Sequence, residues 1–184
     1  MRQRAEALGD VSDFRSAVRE ILLAREEHTL PPALRALPLF RPLLRDPRVR
    51  VVVRRSLASQ LPATASAAVD AALRAPELAS APGAGPALER VLRNQDVEMR
   101  LSLLKVISGN AAVQEDARVV QFLASSLRHS DPKVRRRAVD LLAGNRDLLL
   151  IPAISQSLRP LSEDADAEVR LRVRALFSGA RGSD

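Results

Sequence analysis

Asp131-Pro132-Lys133-Val134-Arg135-Arg136-Arg137-Ala138-Val139-Asp140-Leu141-Leu142 has the pattern of a capped amphipathic helix, and it is repeated along the chain. Asp131 has the chemistry of a helix N-cap, since its carboxylate can accept from the first free amides. Pro132 then falls at the first helical position, where its missing N–H costs nothing. Val134, Ala138 and Leu142 follow at i, i+4 and i+8, which makes one apolar stripe of a helix. The stretch recurs 35 residues later as Asp166-Ala167-Glu168-Val169-Arg170 with Val173 and Phe177. It also recurs 35 residues earlier as Asp96-Val97-Glu98-Met99-Arg100 with Leu103 and Ile107. A fourth copy, Asp46-Pro47-Arg48-Val49-Arg50 with Val53 and Leu57, lies 50 residues before the second. A fixed period of this size is the mark of one supersecondary unit copied along the chain.

Two further columns keep the register. Gly109, Gly144 and Gly179 each stand thirteen residues after the repeat aspartate, where a left-handed helix end is expected. Leu88, Leu123 and Leu158 each stand eight residues before it, on the first helix of each pair. The pairs read as 87–93 with 96–108, 115–129 with 131–143, and 147–161 with 166–178. The first copy lacks the glycine. Its 15 extra residues place an insertion at about 60–85, made of an Ala-rich helix at 63–74 and a loop over 76–86. Ahead of it, Pro38 and Pro42 predict a kinked or split helix at 33–45. Ser12 or Asp13 is expected to cap an N-terminal helix running to about Glu27, with Phe14, Val18, Ile21 and Leu22 on one side.

Paired helices with Asp-Pro-x-Val-Arg opening the second one resemble HEAT repeats. The closest likeness is to the short bacterial HEAT-like class first described in phycobilisome lyases. Asp131-Pro132-Lys133-Val134-Arg135 with Ala138 matches best, and Asp46 to Arg50 nearly as well. The copies at Asp96 and Asp166 lack the proline, and Met99 replaces valine. The resemblance spans about residues 33–179. It implies a right-handed α-solenoid with second helices on the concave side. It also implies a structural ladder between repeats, formed by Asp46, Asp96, Asp131 and Asp166 with Arg50, Arg100, Arg135 and Arg170. It says little of function.

Composition narrows the chemistry. With no Cys, there is neither a disulfide nor a thiolate metal site. Aromatic residues make up 2%, with no Trp or Tyr, so the core must be aliphatic and base-stacking platforms are lacking. The only histidines, His28 and His129, are far apart in sequence, and neither stands in a triad or zinc pattern. His129 fits a helix C-terminus instead. Gly83-Ala84-Gly85 has no preceding strand and no following Lys-Ser/Thr, so it is not a phosphate loop. Glu163, Asp164 and Asp166 suit a helix start and a solvated loop. No cofactor is expected, nor a secretory leader after Met1-Arg2-Gln3-Arg4, nor a membrane span. A cytoplasmic place in a bacterium is the expectation.

Net charge is +7, and it is localised: residues 33–60 hold seven Arg and one Asp. Arginine usage in a GC-rich genome accounts for this, as does a basic binding face. Arg48, Val51, Val52, Arg55, Leu101, Lys105, Lys133, Arg136, Arg137, Leu171 and Arg172 occupy columns that vary between repeats. They are the candidate partner contacts. Val51 and Val52 form an apolar pair where a sister repeat carries Arg136 and Arg137, so a cover is expected there, either the N-terminal helix or a partner.

The sequence thus predicts an all-α, right-handed α-solenoid of about four HEAT-like hairpins, with an N-terminal helical cap over 1–32 and a disordered tail at 180–184. The predicted role is a noncatalytic scaffold or adaptor that binds another protein on its concave face. The alternative is a nucleic-acid-binding module using the basic 33–60 segment. Bilin chemistry rests on the repeat class's name alone.

Overall fold

The computed structural model of the chain describes residues 2–110, 114 and 116–178, with side chains described from Ser12 onward. Gly179 and the expected tail at 180–184 lie outside the described residues. Among the described residues the chain is all helical, with twelve α-helices, short 3-10 turns and no strand. It divides into two compact units, Met1–Val91 and Leu92–Asp184.

In the first unit α1 is Arg2–Ala24, α2 Leu30–Ala36, α3 Arg41–Leu44, α4 Pro47–Leu57, α5 Pro62–Arg74 and α6 Pro76–Ala79. Helix α7, Ala84–Leu92, ends at the junction. The prolines act as expected. Pro31 and Pro32 fall in the opening turn of α2, and the 33–45 region is split into α2, a 3-10 turn at Leu37–Leu39 and α3. Helix α1 differs: it is continuous from Arg2, so Ser12 and Asp13 lie inside it rather than capping it. It ends at Ala24, because Arg25 turns into the left-handed region at φ 59°.

Helix α5 is the Ala-rich helix expected at 63–74. It packs against both α2 and α4 and forms the centre of the first unit. Nine consecutive residues, Thr64 to Ala72, are buried on every side. Alanine makes this possible, since a helix surrounded by neighbours needs small side chains for backbones to approach. Its one buried acid, Asp70, pairs with Arg74 one turn on at 3.2 Å. The stretch 76–86 is not a loop, being mostly α6 and the start of α7.

In the second unit α8 is Val97–Ser108, α9 Ala117–Leu127, α10 Pro132–Gly144, α11 Pro152–Leu158 and α12 Ala167–Ser178. Helix α10 lies between α8 and α12, α9 packs on α11, and α10 packs on α9. Second helices therefore form one row and first helices another. Met99, Leu103 and Ile107 on α8 and Val134, Ala138 and Leu142 on α10 fill the same buried register. On α12, Val169 and Val173 continue it, while Phe177 is half exposed. The expected helix at 147–161 is broken: a 3-10 turn at Arg146–Leu150 precedes α11, and another at Arg159–Glu163 follows it.

The glycine column is corrected as well. Gly109 caps α8 with φ −81°, and Gly144 is the last residue of α10. The left-handed region is taken by Gly83, at φ 77° among the described glycines, and by Arg25.

The buried state of α5 sets a test. Ala68→Leu should destabilise the fold by about 2–3 kcal/mol in urea unfolding, the upper part of the overpacking range. Ala63→Leu, on the exposed first turn of the same helix, should change it by less than about 0.5 kcal/mol.

Candidate functional site: loop clamps and the exposed helix faces

Each repeat aspartate caps its own helix. Asp46 accepts from the Arg48 N–H at 2.8 Å, Asp96 from Met99 at 2.8 Å, Asp131 from Lys133 at 2.7 Å and Asp166 from Val169 at 2.9 Å. Each repeat arginine reaches back to the carbonyl six residues before it. Arg50 Nε donates to Leu44 O and Arg100 Nε to Asn94 O, both at 2.7 Å. Arg135 Nη1 donates to His129 O at 2.7 Å, and Arg170 Nη1 to Asp164 O. The arginine column thus ties down its own loop first, instead of pairing with the aspartate column of a neighbour.

A third column completes the clamp and was missed in the sequence. The Asp96 N–H is accepted by Asn94 Oδ1 at 2.8 Å, that of Asp131 by His129 Nδ1 at 3.0 Å and that of Asp166 by Asp164 Oδ1 at 2.8 Å. Residues 94, 129 and 164 share the 35-residue period. The signal was present, but as three different residue types with one hydrogen-bonding role.

From this column the hairpins of the second unit are joined. Arg135 grips Asp164 with two bonds, Nε to Oδ2 at 2.8 Å and Nη2 to Oδ1 at 2.7 Å. The side chains are only 12% and 6% exposed. The guanidinium of Arg135 holds the Asp164 carboxyl below its ordinary range, against the opposing pull of burial. One repeat earlier, His129 accepts on Nδ1, so Nε2 carries the proton and donates to Gln95 O at 3.0 Å. Arg100 is wholly buried and meets no carboxylate among the described residues. Its Nη1 donates to Ser125 and Ser126 Oγ at 3.1 and 2.9 Å, and its plane sits 5.3 Å from the Phe122 ring. Its Nη2 finds no partner among the described residues, and burial lowers its pKa.

The candidate contacts separate into tied and free groups. Arg136 lies 3.7 Å from Asp166 and bonds Glu168. Arg172 bonds Asp140 at 2.9 Å and Glu168 at 3.2 Å, and the Asp140 bond raises its pKa. Arg137 donates to Ser108 at 3.3 Å. These three staple α8, α10 and α12 together, so as candidate contacts they come already engaged. Leu171 is 67% exposed, Lys105 and Lys133 are exposed, and Leu101 is half-buried. On α4 of the first unit, Arg48 and Arg55 are exposed and Val51 is half-buried. Val52 is core at 1% exposure, and α1 packs on α4, so Val52 is not available to a partner.

Arg41, Arg45, Arg48, Arg54 and Arg55 are all exposed, and none meets a carboxylate among the described residues. Asp46, the one acid in this segment, is engaged by Arg19 at 2.9 Å. Burial pulls the Asp46 carboxyl up, but the bonds from Arg19 and the Arg48 N–H outweigh it and hold it low. Among the described residues no group of three His, Asp or Glu side chains could hold a metal ion. No helix is long and apolar enough to cross a membrane among the described residues. No protein-family model, curated protein or solved structure matches the chain.

The Asp164 clamp carries a pH prediction. A carboxyl held low in the native state contributes stability that is complete above about pH 4 and is lost as pH falls through the native value. Thermal unfolding should therefore show a fall in stability below about pH 4. Asp164→Asn should cost about 3 kcal/mol at neutral pH, as expected for removing one member of a buried pair, and should flatten that acid slope.

Proposed function

We propose that the chain is a noncatalytic scaffold, a right-handed solenoid of HEAT-like hairpins that binds another protein along its second helices. The observation that supports this most is the repeated clamp. A cap and a back-reaching arginine recur in all four copies and a turn acceptor in three, and they stiffen the loops, while outward columns such as Val51, Leu101, Arg136 and Leu171 vary in character. A fixed frame with variable outward positions is the division of labour that stacked repeats use for recognition. Around the Arg136, Glu168 and Arg172 network, Lys105, Lys133 and Leu171 remain available. One apolar anchor with a charged rim suits a protein partner.

A second reading has its own observation. The five carboxylate-free arginines of 41–55 could neutralise phosphates, which gives salt-sensitive, sequence-independent nucleic-acid binding.

Affinity capture with the tagged full chain in its source organism, followed by reconstitution with the recombinant partner, tests the first reading. A defined complex is expected, weakened about tenfold by Lys133→Glu with Leu171→Glu, a loss of ~1.4 kcal/mol. Lack of any reconstitutable partner would count against it. In parallel, a gel shift of duplex DNA at low salt that disappears when Arg41, Arg45 and Arg48 become Glu would favour the second.

A further inference from the structure

The first unit holds a cavity of about 310 Å³, formed where the end of α1, the start of α2, the outer side of α4 and the start of α5 meet. Leu30 and Leu61 give it an apolar wall. Ser56 and Thr64 also line it. Both are nearly buried, 3% and 5% exposed. Neither hydroxyl makes a hydrogen bond among the described residues. Their oxygens are not sealed in, since the buried side-chain atoms left without a partner among the described residues are Arg100 Nη2 and Arg136 Nε. Ser126 and Ser157, away from the cavity, bond carbonyls one turn back at 2.8 and 2.7 Å.

The rim is charged, and its charges are unspent. Arg25 and Arg55 line the cavity, are exposed and have no side-chain partner among the described residues. Glu27 stands on the same rim, also without an ion pair. Arg25 stands there because the chain turns left-handed at the end of α1, a position that glycine takes at least cost. Keeping an arginine there is unfavourable for folding alone.

We propose that this cavity is a docking site for an extended acidic segment of a partner protein. One aliphatic side chain enters against Leu30 and Leu61, carboxylates on either side meet Arg25 and Arg55, and backbone amides meet the Ser56 and Thr64 hydroxyls. The volume, at the low end for small-molecule pockets, suits one inserted side chain better than a whole cofactor. Hydroxyls that donate and accept suit a peptide backbone, which offers both. The sign of the partner follows from the rim, where Arg25 and Arg55 outnumber Glu27, beside a 33–60 segment of net charge +6 from seven Arg and one Asp. This inference rests on the scaffold reading and gives it a second, separate site.

The test uses the full chain and a fluorescein-labelled peptide, Glu-Glu-Asp-Leu-Leu-Asp-Glu-Glu, followed by anisotropy and by amide NMR shifts. Saturable binding is expected, with shifts at Ser56, Ser59 and Thr64. Replacing both leucines of the peptide with serine should weaken it at least about tenfold, since burying one leucine is worth more than that. Arg55→Glu should weaken it several-fold with an unchanged Tm. Arg25→Gly should also weaken it, with Tm unchanged or raised. Equal affinity for the serine peptide, or indifference to both arginine changes, would overturn the site. So would absence of binding. Shifts confined to 97–178 would overturn this site while leaving the scaffold reading in place, whereas a reconstituted partner whose affinity ignores Arg55→Glu would remove only the groove. Decanoate producing the same shifts more strongly than the peptide would overturn the proposal in favour of a small acidic amphiphile.

Discussion

The bond from an arginine in the first turn of a helix to a carbonyl six residues earlier is the constraint on which the rest depends. The carbonyls at the end of a helix have no intrahelical partner, and a tight connection leaves more of them exposed. Leu44, Asn94, His129 and Asp164 supply such carbonyls, and Arg50, Arg100, Arg135 and Arg170 satisfy them. Because the donor is charged, the bond is stronger than a neutral one, and it also opposes the negative end of the preceding helix. The aspartate between them fixes where the next helix begins. With entry and exit both pinned, the angle between two helices is set locally. In the second unit, rows of like helices then follow from packing like faces.

The copies satisfy the same local need with different atoms, and the difference decides what reaches the neighbour. An aspartate at 164 leaves a carboxylate for Arg135, and a buried bidentate pair results. A histidine at 129 offers no carboxylate, so Arg100 takes two serine hydroxyls and an aromatic face instead. Arginine tolerates this better than lysine would, because its charge is delocalised and weakly hydrated. The cost is a buried cation with one donor unmatched. The same frame therefore holds one strongly compensated junction and one weakly compensated one.

What could be read from the sequence was the part repeated in kind. Caps at Asp46, Asp96, Asp131 and Asp166 and the stripe through Val134, Ala138 and Leu142 are local in origin, and one residue type does each job. What could not be read was role without identity. Asn94, His129 and Asp164 share a period and a task but no side chain. Helix α5 was legible as an Ala-rich helix at 63–74, but its place was not: small side chains with a lone Asp70 do not say that α2 and α4 enclose it. The extra length before the second copy therefore read as an insertion, although it holds the centre of the first unit. Over Val52 the column asked for a cover without choosing between the N-terminal helix and a partner, and α1 is what packs on α4.

The basic segment gains meaning once pairing is known. If arginine were only a genome's preferred base, its partners would be expected to be alike in both units. In the second unit Arg136 and Arg172 meet Asp140, Asp166 and Glu168 and are largely neutralised in place. In the first, the one acid among residues 33–60 is Asp46, and Arg19 from α1 claims it. The arginines at 41, 45, 48, 54 and 55 are left facing water with no carboxylate beside them. Uncompensated like charges repel, weaken the compact state slightly and attract acidic partners from a distance. Compositional drift explains how so many arginines arose. Within the first unit itself the pairing is uneven: Arg19 and Arg74 have carboxylate partners, while the five arginines of 41–55 have none among the described residues and leave one patch positive.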